Sequence, residues 1–178
     1  PQVTNTFTVN PMLSMSGTVP GMAGTATATL TGGGPGCTLD SANTRFMAAV
    51  SLPAGRTAPH GGFEFRATGC TGSVTVALAY PDPLPAGVAF WKFGPATSAA
   101  ASSWFQWSGA TLSGDRRTVS YTIADNGVGD ADPATGVLRD PFVPALGGAA
   151  DAVGIPVDAP WALALISALI GWFGWRRT

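Results

Sequence analysis

Twenty-four glycines and fifteen prolines divide this chain of 178 residues into short pieces. Both residue types are the poorest helix formers. This argues against a helical bundle, and short strands joined by many turns are expected. Charged residues make up only 11% of the chain, against about 25% in an average domain. The apolar share of 46% still supplies one core, which argues against general disorder.

Period-two alternation locates the strands. Thr25 to Leu30 alternates threonine with apolar residues and ends at Gly32-Gly33-Gly34-Pro35. Arg45 to Val50 follows, stopped by Pro53-Ala54-Gly55. In Phe63-Glu64-Phe65-Arg66-Ala67 the phenylalanines share one face, and Glu64 and Arg66 take the other. Ser73 to Tyr80 carries the strongest signal, with Val74, Val76, Leu78 and Tyr80 in phase before Pro81, Pro83 and Pro85 end the run. Val88–Phe93, Trp104–Trp107 and Arg117–Ile123 come next, the last with Val119, Tyr121 and Ile123 on a common face. Roughly seven short strands with turn signals between them predict an all-β, sandwich-like domain.

Formal net charge is −1, and two of the nine basic residues are Arg176 and Arg177 at the chain's end. The rest is weakly acidic, with no electrostatic hold on nucleic acid, so no nucleic-acid partner is expected. Cys37 and Cys70 both lie in Gly/Thr-rich turn sequence. With a single histidine, His60, a structural Cys/His zinc site is out of reach. The cysteines are either separate buried thiols or one disulfide made in an oxidising compartment. The disulfide is the sharper expectation, contributing about 3–4 kcal/mol for a loop of this size in the chain-entropy model.

Composition shifts at Pro141, and residues 144–154 read as a flexible linker. Trp161 to Trp175 then runs fifteen residues without a charge, about 22 Å as a helix. Adding Ala159 and Pro160 gives seventeen residues, the lower limit for crossing a bilayer. Tryptophans at both ends suit the two interfaces, and Arg176-Arg177 assigns the C-terminus to the cytoplasmic side. The alternative is a buried helix, but the segment has no polar face beyond Ser167. A single short transmembrane helix over 159–175 is expected. The chain begins at Pro1 without a signal peptide, so export requires a leader that is processed or missing.

Ile155-Pro156, Trp161 five residues after the proline, a short apolar helix and the terminal Arg176-Arg177 resemble the IPTL-CTERM protein-sorting signal of Gram-negative bacteria. Where that signal usually has Thr-Leu-Ser-Glu, this chain has Val157-Asp158-Ala159-Pro160. A second resemblance runs from about Gly34 to Pro141. Pro81-Asp82-Pro83-Leu84-Pro85-Ala86-Gly87, then Phe90-Trp91-Lys92-Phe93-Gly94-Pro95, and Asp125 to Asp132 with Gly136 and Asp140-Pro141 look like the choice-of-anchor U domain. Together they imply an exported β-domain, anchored in a Gram-negative cell envelope outside the cytoplasmic membrane. The tail would be the substrate of a membrane-embedded sorting protease. The expected organisation is a Thr/Gly/Ala-rich β segment over 1–35, the β-domain over 36–143, a linker over 144–154 and the sorting and anchoring segment over 155–178.

Three features bear on activity. Asp125, Asn126, Asp130, Asp132 and Asp140 are hard oxygen ligands set among glycines, the type that calcium takes. The spacing does not match an EF-hand, and the same residues make plain solvated turns; no other cofactor is expected. Catalysis is not expected: no Gly-x-Ser-x-Gly occurs, His60 reads as a turn residue, and Glu64 is the only glutamate. The aromatics Trp91, Phe93, Trp104, Phe105 and Trp107 are either core or a platform for a surface glycan or protein ligand. Trp104 and Trp107 are expected on opposite faces of one strand.

Overall fold

The computed structural model describes residues 12–48, 50–97 and 100–147. The sorting residues Ile155, Pro156, Trp161, Arg176 and Arg177, the expected helix 159–175 and most of the expected linker lie outside the described residues. Within them the chain is all-β. The strands are β1 (Ser14–Thr18), β2 (Thr25–Gly32), β3 (Thr38–Leu39), β4 (Arg45–Met47), β5 (Arg56–Thr57), β6 (Gly62–Thr68), β7 (Ser73–Ala79), β8 (Ala89–Pro95), β9 (Ser102–Gln106), β10 (Thr111–Leu112), β11 (Thr118–Ala124) and β12 (Val137–Gly147). No helix among the described residues is long and apolar enough to cross a membrane.

Two antiparallel sheets result. One has the order β1-β2-β7-β11-β10; the other has β3-β6-β12-β8-β9, with β4 also on β6 and β5 on the end of β12. Alternation decides which faces meet. Ala26, Ala28 and Leu30 of β2, Val74, Val76 and Leu78 of β7, and Val119, Tyr121 and Ile123 of β11 are buried, while their threonine and serine neighbours face out. Phe63, Phe65 and Ala67 of β6 and Leu138 and Phe142 of β12 oppose them. The Tyr121 and Phe142 rings stack between the sheets, centroids 4.5 Å apart. Each of the larger of these side chains, the valines, leucines, isoleucine and phenylalanines, contributes about 1.5–3 kcal/mol of apolar transfer.

The chain crosses from the first sheet to the second between β2 and β3, and back between β6 and β7. Cys37 and Cys70 lie at these two crossings and form the expected disulfide, with Cα atoms 4.1 Å apart. The turns come this close because Gly33, at φ 73°, has no side chain. A Cβ there would lie 2.6 Å from Cys37 Sγ.

Two boundaries differ from the sequence reading. Residues 14–32 are no separate segment, because β2 is hydrogen-bonded along β7. Pro144 to Gly147 are not linker but the end of β12, paired with Phe90 and Ala89 on one side and with Thr57 and Arg56 on the other. Prolines are unusual in a central strand because they lack an N–H. Here the ladders on the two sides of β12 are staggered: β6 pairs with Val137–Phe142 and β8 with Phe142–Ala145. Pro141 and Pro144 therefore each sit where only one of these two neighbours is in register.

Candidate functional site

Strand β8 divides its side chains between two environments. Lys92 is in register with Phe142, a core residue, so Lys92 faces inward and Trp91 and Phe93 face outward. Across the β8–β9 ladder Phe93 is opposite Trp104, ring centroids 5.5 Å apart and edge-to-face. The Arg56 guanidinium lies 5.2 Å from the centre of the Trp91 ring. Trp91, Phe93 and Trp104 are half-buried, so the outer face of the second sheet carries an aromatic patch beside a cation.

Trp107 is not part of this patch. It follows the end of β9, its backbone N–H donates to Phe90 O at 2.8 Å, and its ring packs edge-on against Phe105. It lines a shallow depression of about 430 Å³ together with Gly109, Thr111, Ser120 and Thr122. Of the three tryptophans expected at a ligand, the structure places Trp91 and Trp104 on one face and Trp107 on the core side.

The inward side of β8 holds a feature that the sequence reading missed. Lys92 Nζ lies 3.1 Å from Asp140 Oδ2, and both side chains are wholly buried, at 0% exposure. Asp140 was expected to join the acidic loop; instead it shares the inward phase of β12 with Leu138 and Phe142, which fixes it in the core. The ammonium sits 4.7 Å from the Tyr121 ring centre and 5.2 Å from that of Trp107. Burial raises the Asp140 carboxyl above the usual carboxylate range. Lys92 and the Tyr121 hydroxyl oppose that rise, and the charge of Asp130 adds to it. The Tyr121 hydroxyl is itself pushed up, by burial first and then by Asp140. Neither Lys92 Nζ, nor either Asp140 oxygen, nor the Tyr121 hydroxyl attains full hydrogen-bond geometry. Gly129 covers the pair: a Cβ there, at φ 85°, would lie 2.9 Å from Lys92 Cε.

The acidic loop is organised around backbone amides. Asp130 Oδ2 accepts from Asn126 N at 2.9 Å, and Oδ1 accepts from Arg139 N at 3.0 Å and Asp132 N at 3.1 Å. Asp125 Oδ2 accepts from Gly136 N at 2.9 Å. Asp132 Oδ1 accepts from Ala134 N, and its Oδ2 pairs with Arg66 at 3.5 Å. Among the described residues no group of three or more His, Cys, Asp or Glu side chains is arranged to hold a metal ion. His60 Nδ1 is 3.0 Å from Pro20 O, against the β1–β2 turn. Glu64, on the outward face of β6, joins three strands: it binds Arg45 of β4 at 3.0 Å and Arg139 of β12 at 2.6 Å.

No family model matches this chain, and no match to it was found among curated proteins or solved structures.

Proposed function

We propose that this chain is an exported protein of a Gram-negative cell envelope: a non-catalytic β-sandwich held at the membrane by residues 155–178, which a membrane-embedded sorting protease recognises. The observation that carries the reading is the Cys37–Cys70 disulfide, because such bonds persist where the compartment is oxidising. The charge-free run of 161–175 with its flanking tryptophans and Arg176-Arg177 supports it from the sequence. In this reading the β-domain lies outside the cytoplasmic membrane and the C-terminus is cytoplasmic until processing. The test is protease accessibility in spheroplasts of a Gram-negative host, with thiol labelling of the same sample. Digestion of the β-domain from outside and unlabelled cysteines are expected. A protected domain with two free thiols would refute the proposal.

A second reading is favoured by the outward patch of Trp91, Phe93 and Trp104 with Arg56 beside it. Flat aromatic rings next to a cation suit a sugar face or a partner's apolar surface. Trp104→Ala is expected to abolish retention on immobilised envelope glycans while leaving the thermal midpoint within a few degrees. Unchanged retention, or no retention by the unsubstituted protein, removes this reading.

A further inference from the structure

The proposed function has no use for the Lys92–Asp140 pair, yet the pair lies at the centre of the second sheet. Two oppositely charged groups, both at 0% exposure, face each other at 3.1 Å from neighbouring strands. Buried ion pairs hold well only when their remaining donors and acceptors are satisfied. Here no polar atom of the pair attains full hydrogen-bond geometry. The amine and carboxylic acid that one proton transfer within the pair would give are the neutral forms from which an amide is made. Burial acts on Asp140 toward its neutral form. A desolvated lysine amine is a nucleophile, and Nζ is held 3.1 Å from an oxygen of the carboxyl it would attack.

We propose that Lys92 and Asp140 form an intramolecular isopeptide bond, an amide between Lys92 Nζ and Asp140 Cγ that cross-links β8 to β12. The Nζ lone pair attacks Cγ, the N–C bond forms, and the carbonyl π electrons move onto oxygen. The Tyr121 hydroxyl, buried and without a hydrogen-bond partner, supplies a donor for the developing oxyanion. A proton from the attacking nitrogen passes to the other carboxyl oxygen, the Cγ–O bond breaks, and water leaves. The net change is ammonium plus carboxylate to amide plus water, without oxidant or reductant. Gly129 on one side and the Tyr121 and Trp107 rings on the other confine the amine.

The bond is tested on the purified full chain, shown to be folded by a cooperative thermal transition. After reduction and denaturation, the intact mass is expected to fall below the sequence mass by one water. In a tryptic digest the peptide spanning Lys92 should be uncut at that residue and covalently joined to the peptide that begins at Asp140. Asp140→Asn should give the same final mass as the unsubstituted protein, because it reaches the same amide by losing ammonia. Lys92→Arg and Asp140→Ala should each show their full sequence mass. A folded, unsubstituted chain with its full mass, cleaved after Lys92, would overturn the proposal and leave an ion pair. A water loss that maps to any other residue overturns it too. The decision rests on the unsubstituted protein, so an unfolded variant does not obscure it.

Discussion

Glu64 shows how a charged residue comes to be 7% exposed on an outward face. Its carboxylate is covered by the two arginines it binds, Arg45 and Arg139, so its removal leaves two guanidinium groups without their anion. Both arginines are substantially exposed, which limits the loss. Glu64→Ala is expected to lower unfolding free energy by about 1–2 kcal/mol in urea titration; a change near zero would make the network ornamental. Burial raises the Asp130 carboxyl above the ordinary 3.8, against the pull of three backbone amides. The folded state therefore holds that proton more tightly than the unfolded one. The Asp130 contribution to stability is fully present below pH 3.8 and is lost as pH rises through the higher folded value. Asp130→Asn removes this term. Its stability relative to the unsubstituted protein should rise with pH across that window, as read by denaturant titrations at a series of pH values. A flat or falling difference would refute the assignment. The inward faces of Phe63 and Phe65 were legible from alternation alone. The Lys92–Asp140 pair was not, because a lone Lys between two aromatics reads as the solvent side of a strand. The available signal was phase: Asp140 alternates with Leu138 and Phe142, two residues of the core.

At the scale of elements, the disulfide joins two of the places where the chain changes sheets, the β2–β3 and β6–β7 crossings. It holds β2 and β3 to β6 and β7 across a sequence separation of 33 residues. Replacing both cysteines by alanine is expected to cost about 2–4 kcal/mol, measured as a lower denaturation midpoint with an unchanged fold. A loss under about 0.5 kcal/mol would mean that the turn hydrogen bonds between Thr71 N and Gly33 O and between Gly33 N and Ser73 O hold the corner unaided. Strands with clean alternation, β2, β6, β7 and β11, were readable to within a residue or two. β12 was not. Its two prolines and its terminal Gly147 carry the composition of a linker, and only the staggered ladders explain how such a sequence sits between two partners. The two-residue strands β3, β5 and β10 have no periodicity to read, since they exist only where a neighbour offers an edge.

At the scale of the molecule, the boundary of the folded unit is itself a prediction. A chain ending after residue 148 is expected to be soluble and to unfold cooperatively. A chain ending after residue 143 loses the pairing of Pro144 and Ala145 with β8 and of Leu146 and Gly147 with β5. Its thermal midpoint should be lower by roughly 5 °C or more. Equal midpoints would place the end of the fold at 143, and aggregation of the 148-residue chain would mean that the tail belongs to the core.

The position of β12 also sets an order of events. The strand in the middle of the larger sheet is the last of the described strands to leave the ribosome. Until residues 137–147 emerge, β6 and β8 lack the strand that joins them, and their open edges can recruit other chains. Closure is therefore a long-range event that comes late, a topology associated with slow folding and exposure to aggregation. A holding factor acting on the growing chain would have most effect in the interval after Ala124 has appeared and before Gly147 has.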